Sequence, residues 1–251
     1  MIENISCVMI AKNAETTLKN TLDSLKEFSD VVIYSNDSID ATNKIAKSYS
    51  NVNLIEGSFE GFGPTKNRAA SYAKNSWVLS LDSDEVLSDE FIQNIKNLKL
   101  EYRTLYTIFR TNYYKQTQIK YCWGNDIIVR LYNKEQTSFT DKKVHEKVIK
   151  DGLALKELQG IVKHYPYSTI TDFIVKLDRY SSIYAHDNVG IKSSSPTKAF
   201  FNAIFSFTKT YFIKRGFLDG YAGLVIAFSH MATNFYKYIK LYELNEELKR
   251  R

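Results

Sequence analysis

Two aspartates and a glutamate directly follow an apolar run in the first third of the chain. The run 77–81 (WVLSL) is typical of a buried strand, and Asp82, Asp84 and Glu85 come after it. Charges beside an apolar sheet are costly unless a cation, a ligand or water compensates them. Hard oxygen ligands suit Mg²⁺ or Mn²⁺, which typically take one or two carboxylates together with substrate phosphates. The spacing predicts a divalent metal that holds a diphosphate; the alternative is an acidic turn in which Asp84 or Glu85 caps a helix over 88–98.

Strand and helix patterns alternate through the first hundred residues. Strands are expected at 5–11, 30–34, 52–56 and 76–81, and helices at 16–28, 40–49 (with Asp40 as the N-cap), 65–74 and 88–98. Apolar runs separated by helices predict a parallel α/β sheet, in which ligands bind beyond the carboxyl ends of the strands. Polar residues follow those strands and are expected to converge there: Asn13, Asn36, Asp37, Asp82 and Asp84.

The second half of the chain changes character twice. Strand patterns continue at 105–111, 127–132 and 144–149, and helical patterns follow at 169–186, 197–214 and 218–248. Gly190, a serine cluster at 193–195 and the pair Arg215-Gly216 separate the helices. A catalytic part at 1–165 and a helical part at 166–251 are therefore expected.

Composition limits the class of protein. The 251 residues are 44% hydrophobic and 25% charged, which predicts one sizeable globular domain with an appendage. With 34 basic and 28 acidic residues the net charge is +6, which favours an anionic partner. Two cysteines without metal-type spacing, and a start that does not resemble a signal peptide, predict a cytoplasmic protein. Uninterrupted apolar runs of about 20 residues, long enough to cross a bilayer, are absent from the sequence.

Four ordered segments resemble the motifs of glycosyltransferase family 2. They are 5–15 (ISCVMIAKNAE), 32–42 (VIYSNDSIDAT), 60–69 (EGFGPTKNRA) and 82–85 (DSDE). Two later segments, 144–146 (VHE) and 214–221 (KRGFLDGY), are similar to small bacterial enzymes that glucosylate the inner core of lipopolysaccharide.

This resemblance implies a fold, a donor and an acceptor. The fold would be α/β of the GT-A type, a Rossmann-like, mostly parallel sheet with flanking helices, followed by the helical region. Residues 1–100 would bind a nucleotide sugar, with UDP-glucose as the expected donor, and 101–165 would form the acceptor side. The reaction would be an inverting transfer of a hexose, dependent on Mn²⁺ or Mg²⁺, to a lipid-linked core sugar such as heptose of lipopolysaccharide or lipooligosaccharide.

The resemblance also assigns donor and metal residues. Asp84 would bind the metal directly, and Asp82 would lie near the ribose or reach the metal through water, with strand-end capping as its alternative. His145 would add a metal ligand or be structural. Lys66 would contact the base or the diphosphate, with a solvated surface lysine as the alternative. The donor pocket as a whole would comprise Ala11, Asn13, Glu15, Asn36, Asp37, Lys66, Asp82 and Ser83.

An inverting transfer needs a general base that deprotonates the acceptor hydroxyl. Glu146 is the first candidate and Asp126 the second; a simple ion pair of Glu146 with Arg130, Lys142 or Lys143 is the alternative. Trp123 is expected to stack on a sugar, and Arg130 to bind a donor phosphate or an acidic acceptor group.

The helical tail interleaves aromatic and basic residues at 198–214 and 217–241. Such helices suit an anionic membrane surface, which predicts a peripheral protein on the inner face of the cytoplasmic membrane. Packing on the catalytic domain, or on a second subunit in a homo-oligomer, is the alternative.

Two other function classes remain open at this point. A nucleotidyltransferase also carries acids at strand ends but normally has a glycine run after its first strand, which 11–15 (AKNAE) lacks. A non-catalytic membrane-surface scaffold is the second class. Nucleic-acid binding has no supporting motif.

Overall fold

The computed structural model describes residues 1–142 and 145–250. Within these ranges the chain forms nine strands and seven α-helices. The strands are β1 (Ile5–Ala11), β2 (Val31–Ser35), β3 (Val52–Glu56), β4 (Trp77–Asp82), β5 (Glu85–Leu87), β6 (Thr104–Tyr114), β7 (Thr117–Ile119), β8 (Asn125–Asn133) and β9 (Ala154–Tyr167). The α-helices are α1 (Leu18–Asp23), α2 (Thr42–Lys47), α3 (Phe62–Ser71), α4 (Asp89–Lys96), α5 (Ile170–Asn188), α6 (Pro196–Thr208) and α7 (Gly220–Arg250).

The described strands form one mixed sheet in the order β3-β2-β1-β4-β8-β6-β9-β5, with β7 paired to β6. β1 pairs in parallel with β2 and β4, and β2 with β3, while β8 runs antiparallel to β4. At the end of β1, Ile10 pairs with Asp82 and Ala11 with Ser35. The residues that follow β1, β2 and β4 therefore meet at one edge, as the alternating pattern predicts.

The parallel strands are buried on both faces. Cys7 and Ile33 belong to the hydrophobic cluster that α1, α2 and α4 complete, and Val8 and Val32 belong to the cluster that α3 completes. Because successive residues of a strand point to opposite faces, both faces must be apolar, which explains the continuous apolar runs in the sequence. Cys7 and Cys122 are buried and free.

Helix α4 begins at its own serine cap. Ser88 Oγ accepts a hydrogen bond from the Phe91 amide at 3.2 Å, so the alternative that Asp84 or Glu85 caps this helix is wrong. Asp40 lies one place before the N-cap of α2, Ala41, and its carboxylate accepts from the Thr42 amide at 3.0 Å. The predicted cap is thus displaced by one residue.

The strand expected at 144–149 is not formed by the described residues of that stretch. Val148 makes an isolated bridge with Phe139, and the Thr140 amide donates to the Lys147 carbonyl at 2.9 Å. Val144 lies outside the described residues. The described residues of this stretch thus form an isolated bridge instead of a ladder. The long strand lies further on, as β9, which the sequence pattern did not predict.

The chain divides into two compact units. The first comprises Met1–Thr111 and Asn125–Tyr165, and the second comprises Asn112–Gly124 and the chain from Pro166 onward. In the second unit α6 ends at Thr208, earlier than predicted, and a π-helix (Lys209–Ile213) and a 3₁₀ helix (Gly216–Asp219) lead into α7. Among the residues described, none of the helices has the length and hydropathy needed to cross a bilayer.

Candidate active site

Lys66 is a buried lysine on α3. Only 6% of it is exposed, so the alternative of a solvated surface lysine is wrong. Gly63 allows the first turn of α3 to approach the 139–142 segment, because a Cβ there would lie 1.9 Å from the Thr140 carbonyl oxygen. Asn67 then exchanges two hydrogen bonds with the backbone of Phe139, at 2.8 and 2.9 Å. The helix is thereby fixed so that Lys66 points into the sheet edge.

The Lys66 ammonium lies between two carboxylates. Its Nζ is 3.2 Å from Asp82 Oδ1 and 2.9 Å from Glu146 Oε1, and it also lies over the Phe139 ring. Glu146 is therefore paired with Lys66, not with Arg130 or Lys142, the predicted partners within the described residues; Lys143 lies outside them.

Two arginines complete a charged cluster behind Asp82. Arg130 Nη2 donates to Asp82 Oδ2 at 2.5 Å and to Glu85 Oε1 at 2.7 Å, and Arg110 Nη1 donates to the same Glu85 oxygen at 2.8 Å. Glu85 is fully buried, and its second oxygen accepts the Asp82 amide at 2.9 Å. Asp82 is thus held by cations, and Glu85 is the centre that positions them.

The cluster sets the charge states of its members. Burial tends to raise the pKa of Asp82, but the charges of Arg130 and Lys66 outweigh it and hold that pKa well below its usual range. Burial likewise disfavours charged Arg130, yet the carboxylates of Asp82 and Glu85 raise its pKa above the ordinary value. Asp82 is therefore a carboxylate and Arg130 a guanidinium across the physiological range.

Asp84 stands outside this cluster, beside a histidine. The antiparallel register pairs Glu85 with His164 on β9, and the Tyr165 amide donates to the Asp84 carbonyl at 2.9 Å. As a result, His164 Nε2 lies 3.5 Å from Asp84 Oδ2, with about a sixth and a quarter of the two side chains exposed. A carboxylate and an imidazole at this spacing are a donor pair for a divalent metal.

His145 does not share this position. It is exposed, with a positive φ of 59°. Among the described residues, no three His, Cys, Asp or Glu side chains are grouped to hold a metal, so Asp82, Asp84 and His145 do not form a three-ligand set.

Asp126, the second candidate for the general base, lies on β8 and contacts the charged cluster through Arg110. Arg110 and Asp126 are cross-strand partners, and Arg110 Nη2 donates to Asp126 Oδ2 at 2.8 Å. The side chain of Asp126 is 39% exposed, whereas that of Glu146 is 15% exposed. Both carboxylates are therefore accessible from solvent and both are oriented by a cation.

Several residues predicted to bind the nucleotide lie in the two loops that follow β1 and β2, and hydrogen bonds join these loops. Asn13 Oδ1 accepts the Ile39 amide at 2.9 Å, and Glu15 Oε2 accepts the Ala41 amide at 3.1 Å. Their side chains thus hold the second loop in place. Asn13 and Asp37 both have positive φ values, of 51° and 53°, which Asn and Asp tolerate better than most residues.

Three other predicted donor residues lie at the same sheet edge, namely Ala11, Asn36 and Ser83. Asn36 is 5% exposed, its amide donates to the Ala11 carbonyl at 2.9 Å, and its Oδ1 has no hydrogen-bond partner among the described residues. The Ser83 carbonyl accepts the Thr21 hydroxyl at 3.0 Å. A buried acceptor without a partner is costly, and a bound ligand with an N–H donor would satisfy it.

Trp123 belongs to the second unit and packs among aromatic residues. Its indole stacks on Tyr167 at 5.5 Å and on Phe173 at 6.3 Å. Trp123 is therefore part of an aromatic cluster, and its stacking on a sugar stays a prediction.

Sequence reasoning missed the roles of three residues. His164 and Arg110 lie on strands whose partners cannot be read from the chain, and Glu85 looked like a third acid of a turn. The one signal was the placement of Arg110 and Arg130 within apolar strand patterns, since a buried arginine needs a carboxylate partner.

The sequence is similar to known glycosyltransferases. Glycosyl transferase family 2 matches residues 6–157. An uncharacterized glycosyltransferase of Rickettsia typhi is 30% identical, over 97% of this chain and 88% of its own length. LpsC of Rhizobium meliloti, a lipopolysaccharide core biosynthesis glycosyltransferase, is 22% identical over 89% of each chain.

Among solved structures, Staphylococcus aureus TarS in complex with UDP covers 98% of this chain and 91% of its own, with a TM-score of 0.50 and 16% identity. That similarity supports the GT-A fold alone. The family match favours sugar transfer over both the nucleotidyltransferase and the scaffold alternatives. The chain belongs to glycosyltransferase family 2 and is a nucleotide-sugar-dependent glycosyltransferase.

Proposed function

We propose that this enzyme transfers a hexose from a UDP-sugar, with UDP-glucose as donor, to a core sugar such as heptose of a lipid-linked oligosaccharide. The transfer inverts the anomeric carbon and depends on Mn²⁺ or Mg²⁺. The observation that carries the proposal is the Asp84–His164 pair beside the Lys66–Asp82–Arg130 cluster at the sheet edge.

The charge of the site supports a metal. Five carboxylates (Asp82, Asp84, Glu85, Asp126 and Glu146) face three cations (Lys66, Arg110 and Arg130), so the described side chains carry a formal surplus of two negative charges. A diphosphate would be repelled by that surplus unless a divalent cation accompanied it.

Asp84 and His164 fit this cation better than Asp82 does. They bring a carboxylate and an imidazole together outside the arginine–lysine cluster, whereas both oxygens of Asp82 belong to that cluster through Lys66 and Arg130. A divalent ion at this pair would neutralise the charge that develops on the departing diphosphate. Lys66, Arg110 and Arg130 hold Asp82 and Glu85 rigid, so the surrounding groups need little rearrangement during transfer.

The nucleoside end of the donor fits the edge between β1 and β2. Asn36 Oδ1 is a buried acceptor without a partner among the described residues, and a uracil N–H is a donor of the required kind. TarS has been crystallised with UDP, which supports the same nucleotide here.

We assign the general base to Glu146. Its carboxylate is partly exposed and is oriented by Lys66, the residue that also contacts Asp82. Acceptor deprotonation by Glu146 would leave the proton on this carboxylate while the hydroxyl oxygen attacks the anomeric carbon from the face opposite the diphosphate. Asp126 is the second candidate.

The lipid-linked acceptor is supported by the similarity to LpsC and by the basic, aromatic second unit. The direct test is an assay with a panel of UDP-sugars, Mn²⁺ and a heptose-terminated lipid-linked core. The proposal predicts a β-hexosyl product from UDP-glucose. Transfer from another UDP-sugar would show that the proposed hexose is wrong but that the UDP-sugar donor class is right. Failure with all UDP-sugars would contradict the proposed donor class.

A further inference from the structure

The chain between Asp187 and Asp219 contains no acidic residue. It does contain five basic residues, namely Lys192, Lys198, Lys209, Lys214 and Arg215. This stretch includes α6, the π-helix and most of the 3₁₀ helix, all within the second unit. It is therefore a uniformly cationic part of that unit.

Helix α6 is packed with its large apolar residues outward. Ala199 and Ala203 are its buried residues, whereas Phe200, Phe201 and Phe205 are 54–64% exposed. The contact between α6 and α7 includes hydrogen-bonded side chains: Ser206 Oγ donates to the His230 carbonyl at 3.3 Å and accepts from Asn234 at 2.8 Å. One aromatic pair, Phe207 and Phe228, also lies in this contact, with ring centroids 5.0 Å apart. Three of the four phenylalanines of α6 thus lie on its exposed side, while small and hydrogen-bonding residues lie toward α7. This arrangement is typical of helices packed in an apolar surrounding.

The turn after α6 also exposes large apolar residues. Phe212, Ile213, Phe217 and Leu218 are 46–66% exposed. The turn is held rigid from within, because Gly223 of α7 approaches the Gly216 carbonyl so closely that a Cβ would lie 1.8 Å from it. We call this surface, Phe200, Phe201, Phe205, Phe212, Ile213, Phe217 and Leu218, the apolar face.

The charge around the apolar face decides between two occupants. A second copy of the chain docked face to face would bring two sets of basic residues together, with no acid from this stretch to compensate them. On an anionic lipid surface the phenyl rings can be buried at the boundary between headgroups and acyl chains, and the lysines can contact lipid phosphates.

We propose that the apolar face inserts into the headgroup and upper acyl region of an anionic leaflet, and that Lys209 and Arg215 contact lipid phosphates. The second unit is then an interfacial anchor that lies in one leaflet. The inference extends the proposed membrane-bound acceptor, on which it rests, but its test requires no sugar transfer.

The test is flotation of the full-length protein with vesicles of phosphatidylcholine, with and without about 30% phosphatidylglycerol. We expect binding to the anionic vesicles that is weakened but not abolished by about 0.5 M salt, because screening removes only the electrostatic part. The triple variant Phe201→Ser, Phe205→Ser, Phe212→Ser should lose at least about tenfold in partitioning. The double variant Tyr102→Ser, Leu155→Ser changes two exposed apolar residues of the first unit and should bind like wild type.

Wild-type protein that stays with the aqueous phase, or a triple variant that floats as well as wild type, would overturn the proposal. A dimer that dissociates in the triple variant, measured by sedimentation velocity, would show that a second copy covers the face instead. UDP binding measured on the same samples keeps the two proposals separate. Intact UDP binding without flotation contradicts insertion alone, and flotation without UDP binding contradicts the donor site alone.

Discussion

The ammonium of Lys66 lies 2.9 Å from a carboxylate oxygen of Glu146. Both side chains are largely buried, and the same ammonium lies 3.2 Å from Asp82. One residue of α3 thus orients the proposed base and a carboxylate of the donor site at once. Geometry that couples the two groups would keep the acceptor hydroxyl and the donor aligned.

Exchange of Glu146 for glutamine should separate binding from chemistry. Glu146→Gln removes the proton acceptor while keeping the size of the side chain, so kcat should fall by about 10²–10⁴ with UDP affinity nearly unchanged. Steady-state transfer assays and calorimetry with UDP measure the two effects. Asp126→Asn is the matched variant, and the base assignment is wrong if that substitution alone abolishes turnover.

Arg130 should be essential for stability because it compensates buried Glu85. Arg130→Met leaves that carboxylate with Arg110 alone and should lower the free energy of unfolding by about 3–5 kcal/mol. Urea denaturation followed by circular dichroism gives the value. The double variant Arg130→Met, Glu85→Gln should recover part of the loss, because it removes the buried carboxylate that has lost one of its two cations. A double variant that is no more stable than the single one would contradict this explanation.

His230 should make the second unit sensitive to acid. Burial, with a smaller contribution from the charge of Lys214, lowers the pKa of His230 from 6.5 to about 4. An unfolded chain takes up this proton at higher pH than the folded one, so the stabilisation is complete above pH 6.5 and declines as the pH falls toward 4. The decline should reach about 3 kcal/mol.

The measurement is the free energy of unfolding from pH 8 to pH 4 for wild type and His230→Gln. The difference between the two should shrink as the pH falls through this window. Parallel curves would show that His230 is not held neutral in the folded protein.

The parallel half of the fold could be predicted from the sequence because each strand there is buried on both faces. A continuous apolar run such as 31–34 (VVIY) is typical of a central strand that is buried on both faces. The polar residues that follow such strands then lie at one edge of the sheet. This pattern, together with the resemblance of four ordered motifs, predicts that Asp82, Asp84 and Lys66 belong to one site at that edge, and their roles there stay predictions.

The antiparallel half could not be predicted to the same depth. β9 reads ALKELQGIVKHYPY, with its first four residues exposed and a glycine and a proline inside, so its apolar pattern is weak. The Asp84–His164 pair depends on the register between β5 and β9, across about 80 residues of sequence, which no local pattern encodes. The same holds for the pairing of Arg110 with Asp126 across β6 and β8.

Calorimetric titration of UDP into the protein, with Mn²⁺ and with EDTA, tests the donor and metal site most directly. We predict binding that is stronger by at least about tenfold with Mn²⁺, and loss of this dependence in both Asp84→Ala and His164→Ala with the fold retained. His145→Ala should behave like wild type. Equal UDP affinity with Mn²⁺ and with EDTA, or a metal dependence that survives His164→Ala but is lost in His145→Ala, would contradict the account.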